Sequence, residues 1–108
     1  MSGLLALFFA GVFLVNGVPH FVNGVSGRNF PSPFASPPGR GESTARTNVL
    51  WGALNFAIGY GLGWRLAHFD PGQSAQLAAL CVGGLLMALA ISSHFGKLYG
   101  GATAKPKR

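Results

Sequence analysis

From Leu4 to Val25 the chain runs for 22 residues without an aspartate, glutamate, lysine or arginine. As one helix, such a stretch is about 33 Å long, enough to cross a hydrocarbon core of about 30 Å. Stopping the helix before Pro19 would leave it too short to span. The reading therefore keeps Pro19 inside as a kink, where it frees the carbonyl of Val15 one turn back. A neighbouring helix can re-satisfy that group. Leu4 to Val15 has no charged or amide residue at all, so this helix has no polar side wide enough for water.

Two further stretches behave alike. The second runs from about Asn48 to Phe69, with Trp51 and Trp64 near its ends as interfacial anchors. One of its faces reads Asn48, Gly52, Asn55, Gly59, Gly63. Small residues on one face allow close helix approach, and the amides can bond across. The glycines from Gly59 to Gly63 are not a phosphate loop, because no strand precedes them. The third stretch runs from about Ser74 to Tyr99, after an Asp70-Pro71-Gly72 turn. It repeats Gln76, Gly83, Ala90 and Lys97 at seven, with Leu80, Met87 and His94 beside them. The expected fold is an all-α integral membrane protein with three transmembrane helices, forming a single domain over residues 1–108.

Charge supports lipid as the solvent. Only 9% of residues are charged and 49% are hydrophobic, whereas an ordinary soluble domain is about 25% charged. The net charge of +6 does not point to nucleic acid. Arg28, Arg40 and Arg46 fall in or beside the first connector, and Lys97, Lys105, Lys107 and Arg108 at the end of the chain, so they flank apolar spans. With three spans, those seven cations share one side and Arg65 sits alone on the other. The bias predicts N-terminus out and C-terminus in, in a plasma or inner membrane, with a cytoplasmic connector over 26–47. No basic residue precedes the first apolar run, so a retained first span is expected rather than a cleaved signal. The basic tail, 100–108, is expected to be mobile.

The connector holds Pro31, Pro33, Pro37 and Pro38, which exclude a regular helix. A loop of this length is usually functional or disordered. Phe30 and Phe34 suggest that it lies on the bilayer or folds back under the bundle; an extended surface linker is the plain alternative.

The polar residues inside the spans are the candidate site. Asn16, His20 and Asn23, spaced i, i+4, i+7, share one face of the first helix. A lipid-facing surface tolerates such a stripe poorly. The predicted orientation places them at the same inner-leaflet depth as Asn48 and Asn55 of the second stretch and Ser92, Ser93 and His94 of the third. The expected cluster is thus Asn16, His20, Asn23, Asn48, Asn55, Ser93 and His94.

The bland reading is that these groups bond to each other and lock a small structural or accessory protein. It fits a homo-oligomer or a membrane-protein partner, since three helices cannot hide every small-residue face. The sharper reading is a solute-, ion- or lipid-binding transport component using the Asn16/His20/Asn23 face. No Asp or Glu lies within a span, which weighs against ion coupling. A remote third reading has His20 and His94 ligating one haem. No cofactor or metal is otherwise implied. No Ser/His/acid set or paired carboxylates are present, so an enzyme is not expected. Cys81, alone in an apolar run, reads as a packing residue.

Overall fold

The computed structural model describes residues 3–100. The basic tail expected to be mobile, with Lys105, Lys107 and Arg108, lies outside the described residues. The described chain is mostly helical and has three helices: α1 (Gly3–Val25), α2 (Ala45–Tyr60) and α3 (Ser74–Tyr99). Two of them, α1 and α3, are long and apolar enough to cross a membrane.

Helix α1 occupies the middle. It packs along both α2 and α3, while α2 and α3 make little contact with each other. Glycines set both seams. Where α1 meets α2, Cβ atoms added at Gly17 and Gly24 would lie 2.9 and 2.7 Å from the carbonyl oxygens of Gly52 and Ala45. Where α1 meets α3, a Cβ at Gly83 would run into the Phe8 carbonyl, and one at Gly11 into the Leu80 carbonyl. Backbones this close gain dispersion contacts that side chains would prevent. The α1–α2 pairings run α2 antiparallel to α1, and Phe8 beside Gly83 with His20 further along beside Phe95 runs α3 parallel to α1. Pro19 sits inside α1 without ending it.

The face read for the second stretch is the one that packs: Asn48, Gly52, Asn55, Gly59 and Gly63 are all buried. The helix itself departs from expectation at both ends. It begins at Ala45 rather than Asn48, because the Thr44 hydroxyl caps it by accepting from the Thr47 N–H at 3.2 Å. The α-helical pattern stops at Tyr60, and a π-helical segment carries the chain from Gly61 to Leu66. There the Ala67 N–H reaches the Leu62 carbonyl, five residues back. Three alternate glycines, Gly59, Gly61 and Gly63, offer little side-chain resistance to this wider turn. The turn that follows closes as its composition suggests: the Gly72 N–H donates to Asp70 Oδ1 at 2.9 Å, and the Gln73 N–H to the Asp70 carbonyl at 3.0 Å.

The connector folds back onto the helices. Phe30–Pro31 (β1) pairs antiparallel with Glu42–Ser43 (β2). Between these two short strands the Gly39 N–H donates to the Ser32 carbonyl at 2.8 Å, and the Ser32 and Ser43 hydroxyls lie 2.6 Å apart. Phe30, Pro31, Ser32 and Ala35 are buried. The two phenylalanines expected to act alike do not: Phe30 is buried, whereas Phe34 is 65% exposed. Phe30 packs its ring 4.6 Å from that of Phe95 on α3.

The distribution of polarity is inverted relative to a water-soluble bundle. The fully covered side chains include Asn48, Asn55 and Ser32, and the covered aliphatic ones are few, chiefly Ala6, Leu7 and Ala10. Leucines and valines face outward on every helix, including Val18, Leu50, Leu54, Leu85 and Leu89.

Candidate functional site

The site lies where the C-terminal half of α1, the start of α2, the end of α3 and the connector meet. Its centre is Asn48, fully buried in the first turns of α2. The Asn48 Nδ2 donates to the Phe30 carbonyl at 2.9 Å, to the Thr44 carbonyl at 3.0 Å and, more weakly, to the Ser43 carbonyl at 3.3 Å. Three carbonyls can only accept, so the amide orientation is settled and its Oδ1 faces His20. The His20 Nδ1 lies 2.8 Å from that oxygen and must carry a proton to bond to it. In the neutral ring, Nε2 then holds the lone pair. Rings surround His20: Phe30 at 5.5 Å, Phe95 at 6.2 Å and Trp51 at 6.4 Å between centroids, all edge-on.

A second amide pair lies one to two turns away. The Asn55 Nδ2 donates to the Trp51 carbonyl at 2.8 Å, which turns its Oδ1 toward α1. There it accepts from the Asn16 Nδ2 at 3.0 Å. By the same logic the Asn16 Oδ1 is an acceptor not used in that bond.

Asn16, His20, Asn48 and Asn55 therefore come together, joined across the α1–α2 seam. His94 reaches the site from α3: its Nε2 donates to the Gly39 carbonyl at 2.7 Å, pinning the connector rather than joining the amides. The left-handed conformation of Gly39, φ 73°, presents that carbonyl. Asn23 does not join. Its Nδ2 turns back to the Pro19 carbonyl at 2.8 Å, and its Oδ1 accepts from the Arg28 Nε at 3.1 Å. Ser93 is exposed, with no side-chain hydrogen bond among the described residues. Neighbouring Ser92 donates to the Leu89 carbonyl of its own helix. A helical step of 100° separates Ser93 from His94, which explains why only one of them faces the site.

The assembled groups border a cavity of about 290 Å³ lined by Asn16, His20, Trp51, Ile91, His94 and Phe95, with Ser32 and Gly39 of the connector closing one side. Trp51, read from sequence as an interfacial anchor, is a wall of this cavity. Its Nε1 is the one buried side-chain polar atom without a partner among the described residues. Position carried the missed signal: Trp51 is three residues after Asn48 and four before Asn55, on the face those amides mark. Phe95 and the buried run Phe30–Ser32 were likewise outside the expected cluster. Among the described residues, no group of three or more His, Cys, Asp or Glu side chains is placed to hold a metal ion.

Comparison with protein-family models, curated proteins and solved structures finds no match. The geometry carries the functional reading alone.

Proposed function

We propose that the chain is a small three-span membrane protein of structural or accessory type, N-terminus out and C-terminus in, whose inner-leaflet polar cluster locks its helices. One observation carries this reading: the polar groups are largely consumed by each other. Asn48 alone ties α1, α2 and the connector together through His20 and the Phe30 carbonyl. Outward leucines and valines on every helix favour hydrocarbon as the surrounding solvent. Arg28, Arg40, Arg46 and Lys97 fall at the connector end of the helices, and Arg65 at the other, as the positive-inside bias asks. The α3 side chains Leu77, Val82, Leu85, Leu86 and Leu89 stay uncovered, which suits a homo-oligomer or a membrane-protein partner as well as lipid.

Extraction tests the membrane reading: the protein should stay with membranes in alkaline carbonate and leave only with detergent. Reporter fusions should place the two termini in different compartments. Replacing His20 with alanine should impair folding or assembly if the cluster is a lock. Normal assembly of that variant, with a lost ligand, would transfer the role to binding.

A second reading, binding of a small molecule or lipid, draws on the cavity beside His20. The haem reading draws no such support, because the His94 Nε2 is already committed to the Gly39 carbonyl.

A further inference from the structure

The cavity beside His20 is walled by helices on three sides and by loop on the fourth. Helix α1 supplies His20, α2 supplies Trp51, α3 supplies His94 and Phe95, and the connector supplies Ser32 and Gly39. His20 is 3% exposed, so a molecule from water reaches it only when a wall moves. The neck of the connector is well anchored. Strand β1 pairs with β2, Asn48 donates to the Phe30 carbonyl at 2.9 Å, and the Tyr99 hydroxyl donates to Glu42 Oε2 at 3.1 Å. Beyond the neck, residues 32–41 bond mainly to themselves. The Gly39 N–H donates to the Ser32 carbonyl at 2.8 Å, the Gly41 N–H to the Pro37 carbonyl at 2.8 Å, and the Phe34 N–H to Ser32 Oγ at 3.1 Å. Ser32 and Ala35 are buried, whereas Pro33, Phe34 and the stretch 36–38 are exposed. A compact loop with its ends held together can swing as a unit.

Two directional interactions fasten this loop to the helices. The His94 Nε2 donates to the Gly39 carbonyl at 2.7 Å, and the Phe34 ring stands edge-on to Trp51 with centroids 5.2 Å apart. The first is the loop's one hydrogen bond to a helix among the described residues. His94 and Trp51 are both walls of the cavity, and they belong to α3 and α2, which scarcely meet. The loop therefore bridges the gap between those helices, held by a single fastening on each side. Segments tied down so lightly open at low cost while the core stays folded. We infer that residues 32–41 are a lid, latched at His94 and at Phe34, that opens the His20 cavity to the connector side. The lid goes beyond the reading of the cluster as a lock, because it can lift while Asn48 holds the neck and the helices in place. Lifting it bares His20 Nε2, to which no hydrogen bond runs from the described residues.

Diethyl pyrocarbonate tests the lid, because it acylates an imidazole nitrogen that carries its lone pair. The full chain is labelled in detergent and His20 is followed by mass spectrometry, with the exposed His68 as internal reference. In the parent chain His20 should label more slowly than His68. His94→Ala and Phe34→Ala should each speed His20 labelling about two- to tenfold, the rise in open population expected for losing one hydrogen bond or one aromatic pair. Hydrogen exchange should rise over 32–41 in both variants and keep parent rates in α1 and α2. Nicking the folded parent within 33–41 with a protease should give at least the same gain without any substitution, and decides the matter if a variant misfolds. Parent His20 labelling as fast as His68, unchanged His20 labelling in either folded variant or in the nicked chain, or a gain accompanied by faster exchange in α1 and α2 would each overturn the lid. Carbonate extraction and the terminal reporters test the membrane reading separately.

Discussion

Asn48→Ala is the perturbation that separates a structural lock from a polar patch. The substitution removes the bond to His20 at 2.8 Å and those to the carbonyls of Phe30, Thr44 and Ser43 at 2.9, 3.0 and 3.3 Å. These losses are unequal. The Thr44 carbonyl keeps the Asn48 backbone N–H as a partner, and the Ser43 contact is long. The costly losses are at His20 and Phe30, both buried. Of the four, the bond to His20 is the one between helices, a class that averages about 0.6 kcal/mol in membranes. Stranding two buried groups, at about 1–3 kcal/mol each, moves the expectation to about 2–6 kcal/mol. The control is Asn23→Ala, whose bonds stay within α1 and an exposed arginine; it should cost under about 0.5 kcal/mol. Equilibrium unfolding in mixed micelles, followed by far-ultraviolet circular dichroism, reads both. If Asn48→Ala costs no more than Asn23→Ala, the claim that this amide holds the helices and connector together is wrong.

Further outcomes follow from the packing. Gly83→Ala places a methyl on the Phe8 carbonyl and should destabilise by about 1–3 kcal/mol, whereas Gly61→Ala meets nothing within 4 Å and should lie within about 0.5 kcal/mol of the parent in the same unfolding assay. His94→Ala releases the Gly39 carbonyl and should speed protease cleavage within 33–41 while leaving helicity unchanged. Gly39→Ala, at φ 73°, should act on the same loop through backbone strain of about 1 kcal/mol and show the same proteolytic signature. Ser93→Ala, on an exposed face, should leave stability within about 0.5 kcal/mol of the parent.

Much of the helical layout was readable because lipid-length apolar runs and turn chemistry are local signals. The observed bounds of α1 and α3 lie close to those expected, and the Asp70-Pro71-Gly72 turn closes through its own side chain. The α2 face was readable for the same reason: Asn48, Gly52, Asn55, Gly59 and Gly63 repeat at helical spacing and all pack inward. The matching stripe on α1 was hidden. Gly11, Gly17 and Gly24 serve two different neighbours, so they do not form one periodic face. On α3 the sevenfold repeat overstated the contact, because a helix with one main neighbour needs only a narrow strip, chiefly Gly83 and Gly84. The site was half visible. Composition marked Asn16, His20, Asn48, Asn55 and His94 as out of place in apolar runs. It did not mark Trp51, Phe30 or Phe95, whose residue types suit lipid and whose roles come from tertiary packing. Asn23 and Ser93 have the right chemistry, but a nearby arginine claims one and helical rotation turns the other away.

The middle position of α1 bears on how the protein is made. Helices adjacent in sequence ordinarily pack together, yet α2 and α3, joined by a short turn, barely touch. Each docks on a segment that has already emerged from the ribosome. Assembly can therefore keep pace with translation, and a nascent chain halted after Leu66 already contains every partner of Asn48.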